Sequence, residues 1–184
     1  MKYEIQKRIE LTSASEDEIL FISREAQTMK ETCDRRLKEA IPILEQSVSG
    51  ISRISKVEID EIKSFVKPSK PIVDLMTAVC IILRIEPIVT KDHKTVTEDY
   101  WTAALSNKCL SNPHIIHLLS TVDPLSLNQE VMQSLETFLE ESKLEIETVK
   151  RACNASESIY NWVLAVRNYY YVYKTTEPLR DKMV

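Results

Sequence analysis

The single glycine of this chain, Gly50, is the sequence feature that most restricts how the chain can fold. Tight turns, β-hairpins and phosphate-binding loops depend on glycine, because it adopts positive φ angles without a steric penalty. A chain of 184 residues with one glycine is therefore predicted to be all-α. Walker-type phosphate loops and dinucleotide fingerprints each need at least two glycines, so nucleotide binding by those routes is excluded.

The composition argues against a membrane-spanning, secreted, disulfide-bonded or zinc-binding protein. Hydrophobic residues make up 43% of the chain, enough for a core, and no apolar run approaches the ~18 residues that span a membrane. The charged N-terminal stretch MKYEIQKRIEL lacks a signal-peptide core. The cysteines show no paired spacing, and we interpret them as reduced intracellular thiols rather than disulfides or zinc ligands: Cys33, Cys80, Cys109 and Cys153.

A coiled-coil pattern runs from residue 19 to residue 51. Steps of three or four residues connect Ile19, Ile22, Ala26, Met29, Cys33, Leu37, Ile41, Leu44, Val48 and Ile51. The consecutive steps of four between Met29 and Ile41 indicate a stutter. Pro42 lies inside this predicted helix and is expected to kink it or to mark a junction.

The segment EIDEIKSFVKPSKPIVDLMTAVC, residues 58–80, joins this long helix to a different kind of sequence. Ser69 is predicted to cap a new helix that carries Pro71 in its first turn. The following stretch IVDLMTAVCIIL is apolar nearly all round, which is typical of a central helix. We expect its core residues to be buried near Ile159, Trp162 and Val163: Leu75, Met76, Val79, Ile82 and Leu83.

Beyond Pro87 the stretch IVTKDHKTVT is predicted to be a loop. Capping patterns predict helix starts at Thr95, Asn112, Ser126 and Ser142. The helix from Ser142 is expected to be long, with heptad residues Ala152, Ala155, Ile159, Trp162, Val166, Tyr169 and Tyr173, and with Pro178 near its end. Two heptad helices flanking a helical body predict a small bundle head on an antiparallel two-stranded stalk.

No catalytic or cofactor-binding constellation is evident. His114 and His117 stand three residues apart, but no cysteine or carboxylate pair at ligand spacing accompanies them, so a structural or surface role is favoured over a metal site. The run NYYYVY lacks interleaved basic residues and is interpreted as packing rather than nucleic-acid stacking. We predict no catalytic, metal or cofactor site, and neither nucleic acid nor membrane as a partner.

Two separated motifs resemble one known family. EIDEIKSF followed by proline, and the apolar helix ending AVCIIL, resemble the start of the microtubule-binding domain of dynein heavy chains. VKRACNASESIYNWVLAVRNYYYVYKTTEPLR is similar to its last helix and the returning stalk strand. KSF and AVC are closer to axonemal than to cytoplasmic heavy chains. The resemblance covers about residues 34–184.

The resemblance implies a binding function without enzymatic activity in this region. It implies an outgoing stalk helix (1–64), a microtubule-binding head (65–166) and a returning stalk helix (167–184). The partners would be α/β-tubulin and the rest of a heavy chain whose ATPase ring shifts the stalk register and so changes the affinity of the head. The expected location is cytoplasmic and cytoskeletal, in a ciliary or flagellar axoneme.

The resemblance also assigns residues. The family's basic position in the first head helix falls on Val73, with Lys67 and Lys70 nearby as substitutes. Its arginine at the start of the last helix falls on Arg151, next to Lys150 and four residues after Glu147, so that a helical ion pair can form. The stalk junction is assigned to Pro42, Pro68 and Pro178.

Two further expectations concern the pairing of the stalk helices and the charge of the head. If Pro42 and Pro178 lie level, the returning helix pairs only with residues from about 36 onward, and residues 1–35 form an unpaired protruding helix. Residues 65–178 include eleven Lys and Arg residues but fourteen Asp and Glu residues. Binding to an acidic track would therefore depend on a local patch of positive charge. The alternative interpretation is a non-motor coiled-coil scaffold or adaptor.

Overall fold

The computed structural model describes the backbone of residues 2–92 and 95–181, and the side chains of residues 18–91 and 96–177. The chain is mostly helical, which confirms the predicted class. The elements are α1 (Lys2–Ser52), α2 (Lys56–Lys63), α3 (Lys70–Ile82), β1 (Ile88–Asp92), β2 (Thr95–Asp99), α4 (Tyr100–Ala104), α5 (Ile115–Ser120), a 3-10 turn (Pro124–Ser126), α6 (Gln129–Ser142), α7 (Ile146–Lys150) and α8 (Asn154–Asp181).

The chain divides into two compact units. Residues 1–40 and 171–184 form one, named here the stalk unit, and residues 41–170 form the other, named the head unit. Pro42 lies inside α1 and just past the division, whereas Pro178 lies inside α8 and belongs to the stalk unit. The two prolines therefore fall in different units.

In the stalk unit, the end of α8 contacts a part of α1 that precedes residue 36. Cys33 and Thr176 are both buried, and both line a groove that also contains Phe21 and Met29. The prediction that the returning helix pairs only from about residue 36 onward is therefore wrong. Large apolar side chains nearer the N-terminus are exposed, with Ile19 at 65% and Phe21 at 61%. The predicted pairing of residues 1–17 lies outside the described side chains.

In the head unit, the last turns of α1 bury one face of the helix. Ser47 and Ile51 are buried, and a Cβ atom at Gly50 would lie 3.8 Å from Ser158 Oγ, an ordinary contact distance. Ile41, which was expected on the seam, is exposed instead. The stutter in the heptad explains the difference, because three consecutive steps of four rotate the apolar stripe around the helix.

Helix α3 is central to the core, as its nearly continuous apolar sequence predicts. Leu75, Met76, Val79 and Ile82 are buried, as are Ile159, Trp162 and Val163 of α8. Leu83, also predicted to be buried, is only half-buried, because it lies at the C-terminal end of α3. Helix α3 packs against α4, α6 and α7.

The stretch predicted as a loop is a β-hairpin. Strands β1 and β2 pair antiparallel, with Ile88 opposite Asp99 and Asp92 opposite Thr95. The β-branched residues that fill both strands favour extended backbone and outweigh the absence of glycine. Thr95 and Glu98 belong to β2 rather than to a capping box, and Asp99 caps α4 by accepting a hydrogen bond from the Thr102 amide at 2.9 Å.

Non-glycine residues end two helices in the conformation that usually requires glycine. Arg84, just after α3, has φ 55°, and Lys143, the C-cap of α6, has φ 49°. The Arg84 guanidinium donates a hydrogen bond to the Ser126 carbonyl at 2.9 Å, which helps to hold its backbone in place. The chain therefore makes these turns with little glycine, at some cost in strain.

Several predicted helix starts are displaced. Helix α5 begins at Ile115 instead of next to Asn112, and Asn128 rather than Ser126 caps α6 by accepting from the Val131 amide. The predicted long last helix is two helices, α7 and α8, separated by residues 151–153. Cys153 and Ser156 share a hydrogen bond of 2.6 Å at this break.

Candidate functional site

The start of α3 carries one group of predicted site residues. Ser69 takes an extended N-cap conformation, and Pro71 occupies the first turn, so the chain enters the helix sharply after Pro68. Lys67 and Lys70 are exposed, and Val73 is half-buried. The Lys70 ammonium pairs with the Asp74 carboxylate one turn later. Lys67, in contrast, takes part in none of the described ion pairs.

The end of α7 carries the second group. Fully buried Val149 anchors this short helix, while Arg151 at its C-terminal cap is exposed. Lys150 Nζ lies 3.0 Å from Glu157 Oε1 across the break between α7 and α8. Among the described side chains Arg151 makes no ion pair, so the expected pair with Glu147 is not formed.

The two groups lie on or next to helices that pack against each other in the head unit. Helices α3 and α7 contact each other, and buried Ile72 and Val149 lie within two residues of Lys70, Lys150 and Arg151. Lys67 and Arg151 are exposed and take part in none of the described ion pairs, whereas Lys70 and Lys150 are paired with Asp74 and Glu157. This arrangement suits binding of an acidic surface through a few contacts rather than through a broad positive field.

The two carboxylates that hold these lysines were not among the residues selected from sequence. The spacing of Lys70 and Asp74 is that of a helical ion pair, so this pair was detectable. The spacing of Lys150 and Glu157 is not, because the pair crosses a break between helices. Glu136, in the acidic stretch SLETFLEES, accepts hydrogen bonds from Nε and Nη2 of Arg167, which links α6 to α8.

The other titratable groups do not form a reactive centre in the described part of the chain. All four cysteines are free and buried, and a hydrogen bond with the Cys109 thiol, together with burial, raises the pKa of Cys80. His114 and His117 are exposed on α5. Over residues 18–91 and 96–177, no group of three or more potential ligands could hold a metal ion. None of the helices described is long and apolar enough to cross a membrane.

Comparisons with known proteins agree on one family. Residues 3–184 match the family model described as the microtubule-binding stalk of dynein motor. Dynein axonemal heavy chain 3 of Mus musculus is 26% identical over 177 residues, which is 94% of this chain and 4% of that protein. Dynein axonemal heavy chain 2 of Mus musculus is 24% identical over 182 residues, 99% of this chain and again 4% of the relative.

A solved structure supports the same fold. The microtubule-binding domain of dynein-c aligns with a TM-score of 0.64 at 24% identity, covering 79% of this chain and 94% of that one. The chain thus spans nearly the whole of that solved domain but about 4% of the length of the curated relatives it matches.

Proposed function

The chain belongs to the family of microtubule-binding stalks of dynein motors, and we propose that it binds the microtubule through the basic ends of α3 and α7. The observation that supports this proposal is the contact between α3 and α7, since Lys70 begins α3, Lys150 ends α7, and Lys67 and Arg151 lie within three residues of these two positions. The tubulin surface is acidic. Cations at the ends of two packed helices would bind it with less loss of conformational entropy than cations on separate flexible loops.

Within this proposal the four cations differ in importance. Arg151 is exposed and makes no ion pair among the described side chains, so its whole charge is available to tubulin. Lys67 is similarly available, whereas Lys70 and Lys150 must first leave Asp74 and Glu157. Val73 and Glu147 would lie beside the contact without supplying positive charge.

We further propose that the stalk register sets the affinity. The functional head is residues 65–166, joined at Pro42, Pro68 and Pro178 to an outgoing helix (1–64) and a returning helix (167–184). Small or polar residues at buried positions of the helix pair support this part of the proposal. Cys33 and Thr176 in the stalk unit are examples, and such residues specify a register less strictly than interlocking Leu and Ile.

The native Cys33 allows a direct test of register. Cys33 and Thr176 are buried and line one groove, so Thr176→Cys places a second thiol on that groove, and its disulfide with Cys33 would fix a register close to the observed one. Val172→Cys lies one helical turn earlier on the same face of α8, so its disulfide with Cys33 requires a shift of about 6 Å along the axis. We expect the two oxidised proteins to differ at least tenfold in microtubule affinity by co-sedimentation.

The controls separate register from binding. The same two variants carrying Cys33→Ser, treated with the same oxidant, should bind like the parent. Equal affinities of the two cross-linked proteins would contradict register control while leaving microtubule binding intact. Failure of the folded parent to co-sediment with microtubules at low salt would contradict the proposed function itself, and would favour a scaffold.

The wider setting is also proposed from the relatives. The curated relatives are named as axonemal heavy chains, which supports a cytoskeletal location for this chain in a cilium or flagellum. The partner would then be α/β-tubulin of the axonemal microtubule, with the ATPase ring of a heavy chain as the source of the register change. This region itself is expected to bind and not to catalyse.

A further inference from the structure

The head unit contains a groove whose lining includes none of the basic residues considered above. The C-terminal half of α3, the junction of β2 with α4, and α6 enclose a groove of about 700 Å³, named here the acidic groove. Half-buried Ile81, Tyr100 and Phe138 contribute to its walls, and exposed Glu98, Glu130 and Glu141 to its edge. The described residues that line it include no Lys or Arg.

The carboxylates at the edge are not neutralised within the described structure. None of the three glutamates takes part in the described ion pairs, whereas Glu136 on the same helix is held by Arg167. Burial raises the pKa of Tyr100, and the neighbouring Glu98 carboxylate raises it further. The groove therefore combines aromatic walls with unbalanced negative charge.

The chemistry of the groove limits its possible occupants. The glutamates are spread along the edge, and no metal-binding group of three or more ligands occurs in the described part of the chain. Nucleic acid and the acidic surface of tubulin would both be repelled. A chain segment with alternating cationic and apolar side chains meets both features, because arginine can contact carboxylates and aromatic faces together.

We propose that the acidic groove is a docking site for a basic segment of a second protein. Its Arg or Lys side chains would face Glu98, Glu130 and Glu141, and its apolar side chains would pack on Tyr100 and Phe138. This function is distinct from microtubule binding, and its test contains no tubulin, so either proposal can fail without the other.

The probe is a short synthetic peptide that alternates arginine with leucine, titrated into the full chain and followed by calorimetry. We expect saturable binding that weakens at least tenfold in the triple variant Glu98→Gln, Glu130→Gln and Glu141→Gln. The matched control changes three exposed glutamates of the head unit outside the groove: Glu45→Gln, Glu61→Gln and Glu86→Gln. Both triple variants change the net charge equally, so the control should bind like the parent.

A second variant tests the groove without removing its charge. Ser134 is exposed on α6 and lines the groove, so Ser134→Arg places a resident cation against the glutamates and should block the peptide. Circular dichroism confirms that each variant is folded. Equal weakening in the two triple variants would show diffuse attraction to an acidic protein and would overturn the proposal. Absence of saturable binding to the parent, or full binding to folded Ser134→Arg, would overturn it as well.

Discussion

Helix α3 connects two regions of the head unit that differ in charge and in how that charge is used. Its first turn lies beside the basic residues, where Lys70 is paired with Asp74 and Lys150 of the neighbouring α7 with Glu157. Its last turns border the acidic groove, where Glu98, Glu130 and Glu141 make none of the described ion pairs. Thr77 and Ile81 share a helical stripe with Lys70, about 10 and 16 Å along the axis.

We expect net charge to be a poor guide to what this head unit binds. The whole chain carries a net charge of −4, which alone predicts repulsion from an acidic track. The negative charge is unevenly distributed, however. Asp74 and Glu157 neutralise lysines locally, whereas Glu98, Glu130 and Glu141 lie at the edge of the acidic groove. We expect binding at the basic end, the group of Lys67, Lys70, Lys150 and Arg151, to depend on which cations lack an ion-pair partner, and Arg151 is exposed and forms none of the described pairs.

The largest effect on stability is expected from a substitution in the core of the head unit. Trp162 is fully buried, so Trp162→Ala should lower the free energy of unfolding by about 3–5 kcal/mol through lost contacts and a cavity. Trp162→Phe is the control. It keeps an aromatic ring and removes an indole N–H that has no hydrogen-bond partner among the described atoms, so it should cost less. Chemical denaturation measures both, and unchanged stability in Trp162→Ala would place Trp162 outside the core.

The second effect is specific to the basic end. Arg151→Glu should weaken microtubule binding at least tenfold, roughly 1.4 kcal/mol, because it replaces an available cation with a repelled anion. Lys67→Glu should weaken it less, and Lys70→Glu least, since Lys70 is already paired with Asp74. Co-sedimentation at several salt concentrations measures the effect, and parent binding should fall as salt rises.

Lys108→Glu is the matched control for this charge reversal. Lys108 is exposed in the head unit and lies outside both the basic end and the acidic groove residues. It should bind microtubules like the parent. If Lys108→Glu and Arg151→Glu weaken binding equally, net charge decides the affinity and the basic end has no special role. Neither substitution should alter binding of the arginine–leucine peptide by more than about twofold.

The sequence predicted those features that repeat along one helix. The continuous apolar run of α3 identified Leu75, Met76 and Val79 as core residues, and the helical class followed from composition. Local patterns could not identify features that depend on contacts between distant segments. The hairpin is an example, because its two strands stabilise each other by pairing, and the sequence between them contains no glycine.

The candidate site shows the same limit. Lys67, Lys70, Lys150 and Arg151 were selected through family resemblance, and their role in binding stays a prediction. The break at residues 151–153 contains neither proline nor glycine, so it gave no local signal, although it decides that Lys150 meets Glu157. The acidic groove was also not predicted, since its walls come from three elements separated along the chain.

The third effect concerns the support of the acidic groove. Asp99 caps α4 next to Glu98 and Tyr100, and Asp99→Ala should cost about 1 kcal/mol of stability through loss of the cap. Hydrogen bonds from the Thr102 hydroxyl and amide hold the pKa of Asp99 below its usual value. A lowered carboxyl pKa stabilises the fold above roughly pH 4, and this contribution disappears as the pH falls through the folded-state pKa. Thermal melts from neutral to acidic pH should therefore show a smaller acid-induced loss in Asp99→Ala than in the parent. An identical pH dependence would show that the cap does not contribute.

The smallest effect tests the distinction between available and paired cations most directly. Asp74→Asn and Glu157→Gln remove the carboxylates that hold Lys70 and Lys150 while preserving side-chain shape. Lys70 and Lys150 are the solvent-exposed members of their ion pairs, and surface pairs of this kind are worth about 1 kcal/mol, so each substitution should tighten microtubule binding by about two- to threefold. Glu147→Ala should have less effect, because Glu147 makes none of the described ion pairs.

The matched control for these substitutions is Asp60→Asn, which breaks an equivalent ion pair with Lys63 on α2, outside the basic end. It also removes one negative charge from the head unit, so it reproduces the change in net charge. We expect it to leave co-sedimentation unchanged. If Asp60→Asn tightens binding as much as Asp74→Asn, the gain comes from overall charge, and the pairing of Lys70 has no bearing on affinity. If neither Asp74→Asn nor Glu157→Gln tightens binding, the two lysines do not reach tubulin, and the interface rests on Lys67 and Arg151.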